Sequence, residues 1–153
     1  MTIHVVNKGK EGEREVVREL AYIIEQCIKS EPGWDEETIR TLREAPQRNQ
    51  NQSAVGGGDI NLLGISFEVK RQEALSVNAW WAQCVKSANR NGDVPVLLYR
   101  QNRKAWHVVM VAELRYSSSG SISDRVTIDF DTFKSWFYQW VKQKVRDGAL
   151  TRI

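Results

Sequence analysis

Asp59, eight residues, then Glu68-Val69-Lys70 is the part of this sequence richest in possible chemistry. Side chains alternate faces along a strand, so Glu68 and Lys70 project together while Phe67 and Val69 point the other way, toward a core. Asp59–Leu63 and Ile65–Arg71 read as two strands turning at Gly64, which brings the Asp59 carboxylate beside Glu68. Two facing carboxylates repel unless a cation lies between them. Hard oxygen ligands without His or Cys favour Mg2+ or Mn2+, with the Val69 backbone carbonyl as a further ligand. Such an ion would polarise a phosphodiester and lower the pKa of an attacking water. Lys70, on the same face, would orient that water or stabilise the developing charge. The plain alternative is a solvated same-face ion pair, since a carboxylate–x–lysine triplet arises by chance about once in a chain of this size. The glycines at 56–58 favour a site, because bare backbone lets a large ligand approach.

A third acid lies upstream. Glu13, Val17, Leu20, Ile24 and Cys27 share one stripe of a helix expected over about residues 11–29. Glu13 then points along the buried face, whereas Glu11, Glu15, Glu19 and Glu25 are placed for water. Two readings stand: a first-turn carboxylate favoured by the helix dipole, or a further acid reaching the metal cluster.

Several elements must position these residues. Pro32-Gly33 ends the first helix, and Asp35 is placed to cap a second, shorter one that stops near Ala45-Pro46. The polar stretch Gln47–Ser53, running on to the glycines, has no apolar face and reads as a loop. Its Arg48, Asn51 and Ser53 carry groups that bond phosphate oxygens. After the two strands, Val77, Trp80, Trp81, Cys84, Val85 and Ala88 keep helical spacing up to Asn91-Gly92. Val94–Arg100 and Ala105–Ala112 read as a strand pair, Ser117–Ser123 as a loose connector and Val126–Ile128 as a short edge strand. Asp129 or Asp131 caps a last helix carrying Phe133, Trp136, Phe137, Trp140, Val141 and Val145. The fold class is α/β: one domain over residues 1–153, with a mixed central sheet flanked by helices. Its core spans about residues 8–112, with a C-terminal helical extension at about 129–147.

Composition excludes several classes. With 41% hydrophobic residues in 153, the chain has material for one real core. Its longest apolar runs are strand-length, far short of the ~20 residues a bilayer needs. The start lacks the apolar segment of a secretion signal, and a cytoplasmic location is expected, that of the host if the protein is phage-encoded. Cys27 and Cys84 fall among apolar residues and read as buried free thiols. No CxxC or HxxxH spacing supports a zinc site, and no small-molecule cofactor is implied. The net charge of +3 is unevenly spread. Residues 8–44 hold seven basic and ten acidic groups, whereas residues 45–106 hold eight and four. That middle third, in which Arg71 extends the basic face, suits a polyanion.

Together the motifs are specific. Lys8-Gly9-x-x-x-Glu13-Arg14-Glu15-Val16, then Gly58-Asp59-Ile60, then Phe67-Glu68-Val69-Lys70, resembles the archaeal-type Holliday junction resolvases of the PD-(D/E)xK nuclease superfamily. Gly92-Asp93-Val94-Pro95-Val96-Leu97 followed by Trp106 is similar to that family's strand after the middle helix. The resemblance covers about residues 8–110. It implies a restriction-endonuclease-like fold and an active site of Glu13, Asp59, Glu68 and Lys70, with DNA contacts from Lys8 and Arg14. It also implies a divalent metal, Mg2+ with Mn2+ able to substitute, and a homodimer acting on four-way DNA junctions. The interval from Glu13 to Asp59 is longer than in the archaeal proteins, and the aromatic C-terminal helix departs from their pattern. A restriction-like or repair nuclease on duplex or nicked DNA, and a non-catalytic DNA-binding module, are the rival expectations.

Overall fold

The computed structural model describes residues 2–48 and 59–152, with the side chains of residues 9–48 and 59–150. Helix α1 (Thr2–Ser30) starts well before the expected position. The helix runs through Gly9 and Gly12, and a glycine inside a helix costs only about 1 kcal/mol. Burying a side chain such as Leu20 or Ile24 contributes about 1.5–3 kcal/mol, and Val16, Leu20, Ile24 and Cys27 are all buried to 1% exposure or less. The stripe therefore outweighs the glycines. Helix α2 (Glu36–Glu44) begins where expected, with the Asp35 carboxylate accepting the Thr38 N–H.

Strands β1 (Ile60–Leu62) and β2 (Ile65–Arg71) form an antiparallel hairpin. Helix α3 (Val77–Asn91) then crosses over to β3 (Val94–Arg100), which runs parallel to β2. A parallel neighbour needs such a long connection, and Gly92 closes the helix in the left-handed conformation at φ 69°. Strands β4 (His107–Arg115) and β5 (Ser121–Asp129) follow antiparallel, giving a five-stranded mixed sheet in the order β1-β2-β3-β4-β5. Helix α4 (Phe130–Arg146), capped by Asp129, and a short 3-10 turn (Ala149–Arg152) complete the order. Among the described residues no helix is long and apolar enough to cross a membrane.

The expected short edge strand is a correction. β5 pairs with β4 along nine residues, so the connector shrinks to the turn around Ser117–Gly120. Ile122, Val126 and Ile128 do alternate, but Asp124 interrupts the apolar set. Hairpin pairing carries the strand through that gap, with most of its side chains exposed.

Both sheet faces are covered. On one, α1 and α4 bury Phe67, Val69, Val96, Leu98 and Val108, and Phe67 meets Phe133 and Phe137 edge-on at 6.1 and 6.3 Å. On the other, Trp80 and Cys84 of α3 pack on Leu97 and Val109. The β1–β2 turn is tight: Leu63 and Gly64 both have positive φ, 51° and 79°, as a two-residue hairpin turn requires. For Leu63 that conformation costs about 1–2 kcal/mol. Burial of its side chain and a bond from Trp140 Nε1 to its carbonyl, 2.9 Å, offset the cost. Trp140→Phe keeps the ring and loses the bond. It is expected to lower unfolding stability by about 1 kcal/mol, measured by urea denaturation; an unchanged midpoint would show that the turn holds itself.

Candidate functional site

Asp59 is fixed by the backbone on both sides of Glu68. Its N–H donates to the Phe67 carbonyl at 2.9 Å, and its Oδ2 accepts the Val69 N–H at 2.8 Å. The hairpin register, Ile60 opposite Phe67, continues to place Asp59 across from Glu68. Both acids are nearly enclosed, at 5% and 4% exposure. On a strand the N–H and C=O of one residue leave on the same side, so the Val69 carbonyl also faces the Asp59 edge.

Such burial is electrostatically costly. Burial, then the Glu68 charge, push the Asp59 carboxyl up from 3.8 to about 7, with Glu13 adding to the rise. The Val69 N–H and Lys70 hold it down in part. Glu68 is also raised, first by burial, against the pull of Lys70, whose Nζ lies 3.6 Å from its Oε1. Cys84 packs beneath this face, its thiol pushed up to about 12 by burial and by Glu68, which makes it an inert wall. Cys27 and Cys84 are both free and buried, as expected.

Glu13 arrives from α1. The early helix start puts it more than two turns inside, so the first-turn dipole reading does not apply. It is 8% exposed and close enough to raise both other carboxyls. Gly12 makes this approach possible: a Cβ there would lie 3.2 Å from Arg71 Cβ and 3.5 Å from Val69 Cγ1. Glu13 is also occupied, with its Oε1 accepting Arg48 Nε at 3.0 Å. An isolated bridge from Arg48 to Ile60 sets that arginine beside the edge strand. Sequence reading missed this pairing, because 35 residues separate the partners.

The basic candidates divide. Arg14 is exposed on α1. The Lys8 side chain, and Asn51 and Ser53 entirely, fall outside the described residues, as does most of the expected polar loop. Arg71 turns to α1 and donates to Glu11 at 3.2 Å and Glu15 at 2.8 Å. Glu15, expected to face water, also accepts Arg100 at 2.9 Å. Arg71 and Arg100 are register neighbours on β2 and β3, and two adjacent guanidiniums need that shared counter-charge. The Glu11/Glu15 spacing of four was the available signal for it.

Among the described residues no three His, Cys, Asp or Glu side chains come together as a metal cage. The donor chemistry nonetheless fits Mg2+, which keeps much of its water and typically takes one or two carboxylates plus substrate oxygens. Asp59, Glu68 and the Val69 carbonyl offer that kind of set, and their raised carboxyls mark a local excess of negative charge.

Asp59 has a folded pKa above its unfolded one. It supports folding below about 4 and loses that contribution as pH rises through about 7. Metal-free protein in EDTA should therefore lose stability from pH 5 to pH 8. Asp59→Asn should remove roughly 2–4 kcal/mol of that loss. Equal pH slopes for the two proteins in urea titrations would contradict the enclosed, charge-crowded carboxylate.

A family model described as "Phage putative PDDEXK endonuclease" matches residues 4–147 and so takes in every site residue above. No curated protein and no solved structure matches the chain. The match spans nearly the whole sequence and agrees with the restriction-endonuclease-like sheet and the Asp59, Glu68-Val69-Lys70 arrangement. The chain belongs to the phage PDDEXK endonuclease family.

Proposed function

We propose that this protein is a divalent-metal-dependent, structure-selective DNA endonuclease that resolves four-way junctions as a homodimer. The observation that carries the nuclease reading is the enclosed Asp59–Glu68 pair with Lys70 on the same strand. Asp59, Glu68 and the Val69 carbonyl would hold Mg2+, or Mn2+ in its place. A bound divalent ion supplies Lewis acidity and charge neutralisation at the scissile phosphate.

The chain's own groups do the rest. The Val69 N–H keeps the Asp59 carboxylate oriented, so its position does not depend on the ligand. Lys70 carries a fixed positive charge at the rim, where it can donate to an attacking water or to a phosphate oxygen in the transition state. Exposed Arg14, with Lys8 on the same helix, offers sequence-independent phosphate contacts. Gathered carboxylates repel DNA, which argues for catalysis over a binding-only module.

The junction preference and the homodimer rest on the motif resemblance. Paired cuts across a symmetric junction need two acidic sites at a fixed spacing, which a two-fold dimer of this single-site chain provides. An endonuclease for duplex or nicked DNA would keep the same chemistry, and the general endonuclease family description favours that broader reading.

Labelled four-way junction, duplex and splayed-arm DNA, each incubated with and without Mg2+, separate these readings. The expected result is Mg2+-dependent cleavage with junctions preferred. Asp59→Asn or Glu68→Gln should cut about 10²–10³-fold more slowly or worse while still binding DNA. Normal cutting by either variant would overturn the site, and equal cutting of all three substrates would leave only the general nuclease.

A further inference from the structure

We propose that Arg48 is a positioning residue: it occupies Glu13 in the DNA-free protein and releases it when a substrate phosphate takes the guanidinium. The inference rests on the nuclease reading and adds to it a coupling between DNA binding and cation binding.

The two partners are unequally held. Glu13 sits inside a long helix whose Gly12 is packed against β2, so it cannot retreat. Arg48 lies beyond α2, outside any helix, and among the described residues it meets the sheet at an isolated bridge to Ile60. Their contact is largely shielded, with side chains 20% and 10% exposed. A shielded carboxylate needs a partner, and Arg48 supplies one. A phosphodiester, however, offers the guanidinium a charged acceptor with two oxygens in matching geometry. Arg48 is thus placed to choose between an acid of its own chain and a phosphate of the substrate.

The exchange alters the site. Glu13 already contributes negative charge at both Asp59 and Glu68. Once Arg48 leaves, that charge is no longer offset locally, and the acidic edge attracts a cation more strongly. DNA binding then tightens cation binding, and by linkage a bound cation tightens DNA binding equally. A protein built this way keeps Glu13 paired until substrate is present.

The test uses the full chain and two binding readouts. Mg2+ is titrated calorimetrically into DNA-free wild type, Arg48→Gln, Glu13→Gln and the double variant. Binding of a labelled four-way junction is measured in EDTA over a range of salt. Arg48→Gln should bind Mg2+ about tenfold more tightly, and the gain should vanish in the Glu13→Gln background. The same variant should bind DNA more weakly, with a salt slope smaller by about one.

A gain that persists without the Glu13 charge would mean a diffuse charge effect and overturn the exchange. So would unchanged Mg2+ affinity, or an unchanged DNA salt slope. If Arg48→Gln does not fold, Arg48→Lys carries the comparison, with a smaller Mg2+ gain expected and none overturning the proposal. Wild type that binds neither Mg2+ nor DNA would remove the nuclease reading itself. Wild type that binds both, with the variants unaltered, would remove only this inference.

Discussion

Two enclosed carboxylates, one just before β1 and one on β2, form the constraint around which this molecule is arranged. Asp59 is tied to the backbone of Phe67 and Val69, the residues on either side of Glu68, so the two acids cannot separate without breaking the hairpin. Burial raises both carboxyls, the Glu68 charge adds to the rise at Asp59, and the Glu13 charge adds at each. Folding keeps this unfavourable pair because the apolar side of the same strand is so well packed. Phe67 and Val69 lie at 0% and 3% exposure between α1 and α4. The strand's two faces thus divide the work, one supplying stability and the other holding strained charge in place.

The surrounding elements serve that strand. The Leu63-Gly64 turn sets the hairpin register, and Trp140 of α4 latches the turn from outside. Strand β3, parallel to β2, seals its other edge, and α3 covers the acidic face with Cys84 and Trp80. Helix α1 reaches the same edge through Gly12 and is locked there by Glu15, shared between Arg71 and Arg100. That lock also keeps Glu13 facing the acidic pair. The positive charge of Arg71 is spent on this internal bracing, whereas Arg14 is exposed and Lys70 lies beside Glu68.

Local patterns were legible in the sequence, and long-range pairings were not. The period-two alternation around Glu68 and the glycine turn gave the strand pair and the facing of its acids. Asp35 gave one helix start, and of the two candidates Asp129 and Asp131 it is Asp129 that caps the last helix. The beginning of α1 lies ahead of the apolar stripe that starts near Val16, so periodicity did not reach it. Asp124 hid most of β5, whose length comes from its partner strand. The Arg48–Glu13 and Arg100–Glu15 pairs span 35 and 85 residues, and no local spacing announces them. Glu15 was misplaced toward water for the same reason: its neighbours are chosen by the fold.

On the function proposed above, the Asp59–Glu68 edge would be an incomplete cation site whose repulsion a divalent ion relieves. The most direct measurement is the thermal midpoint at pH 8 in EDTA and in saturating Mg2+, for wild type and for Asp59→Asn/Glu68→Gln. Wild type is predicted to gain about 4–8 °C with Mg2+, and the double variant nothing. A wild-type midpoint unmoved by Mg2+, or an equal rise in both proteins, would contradict the account.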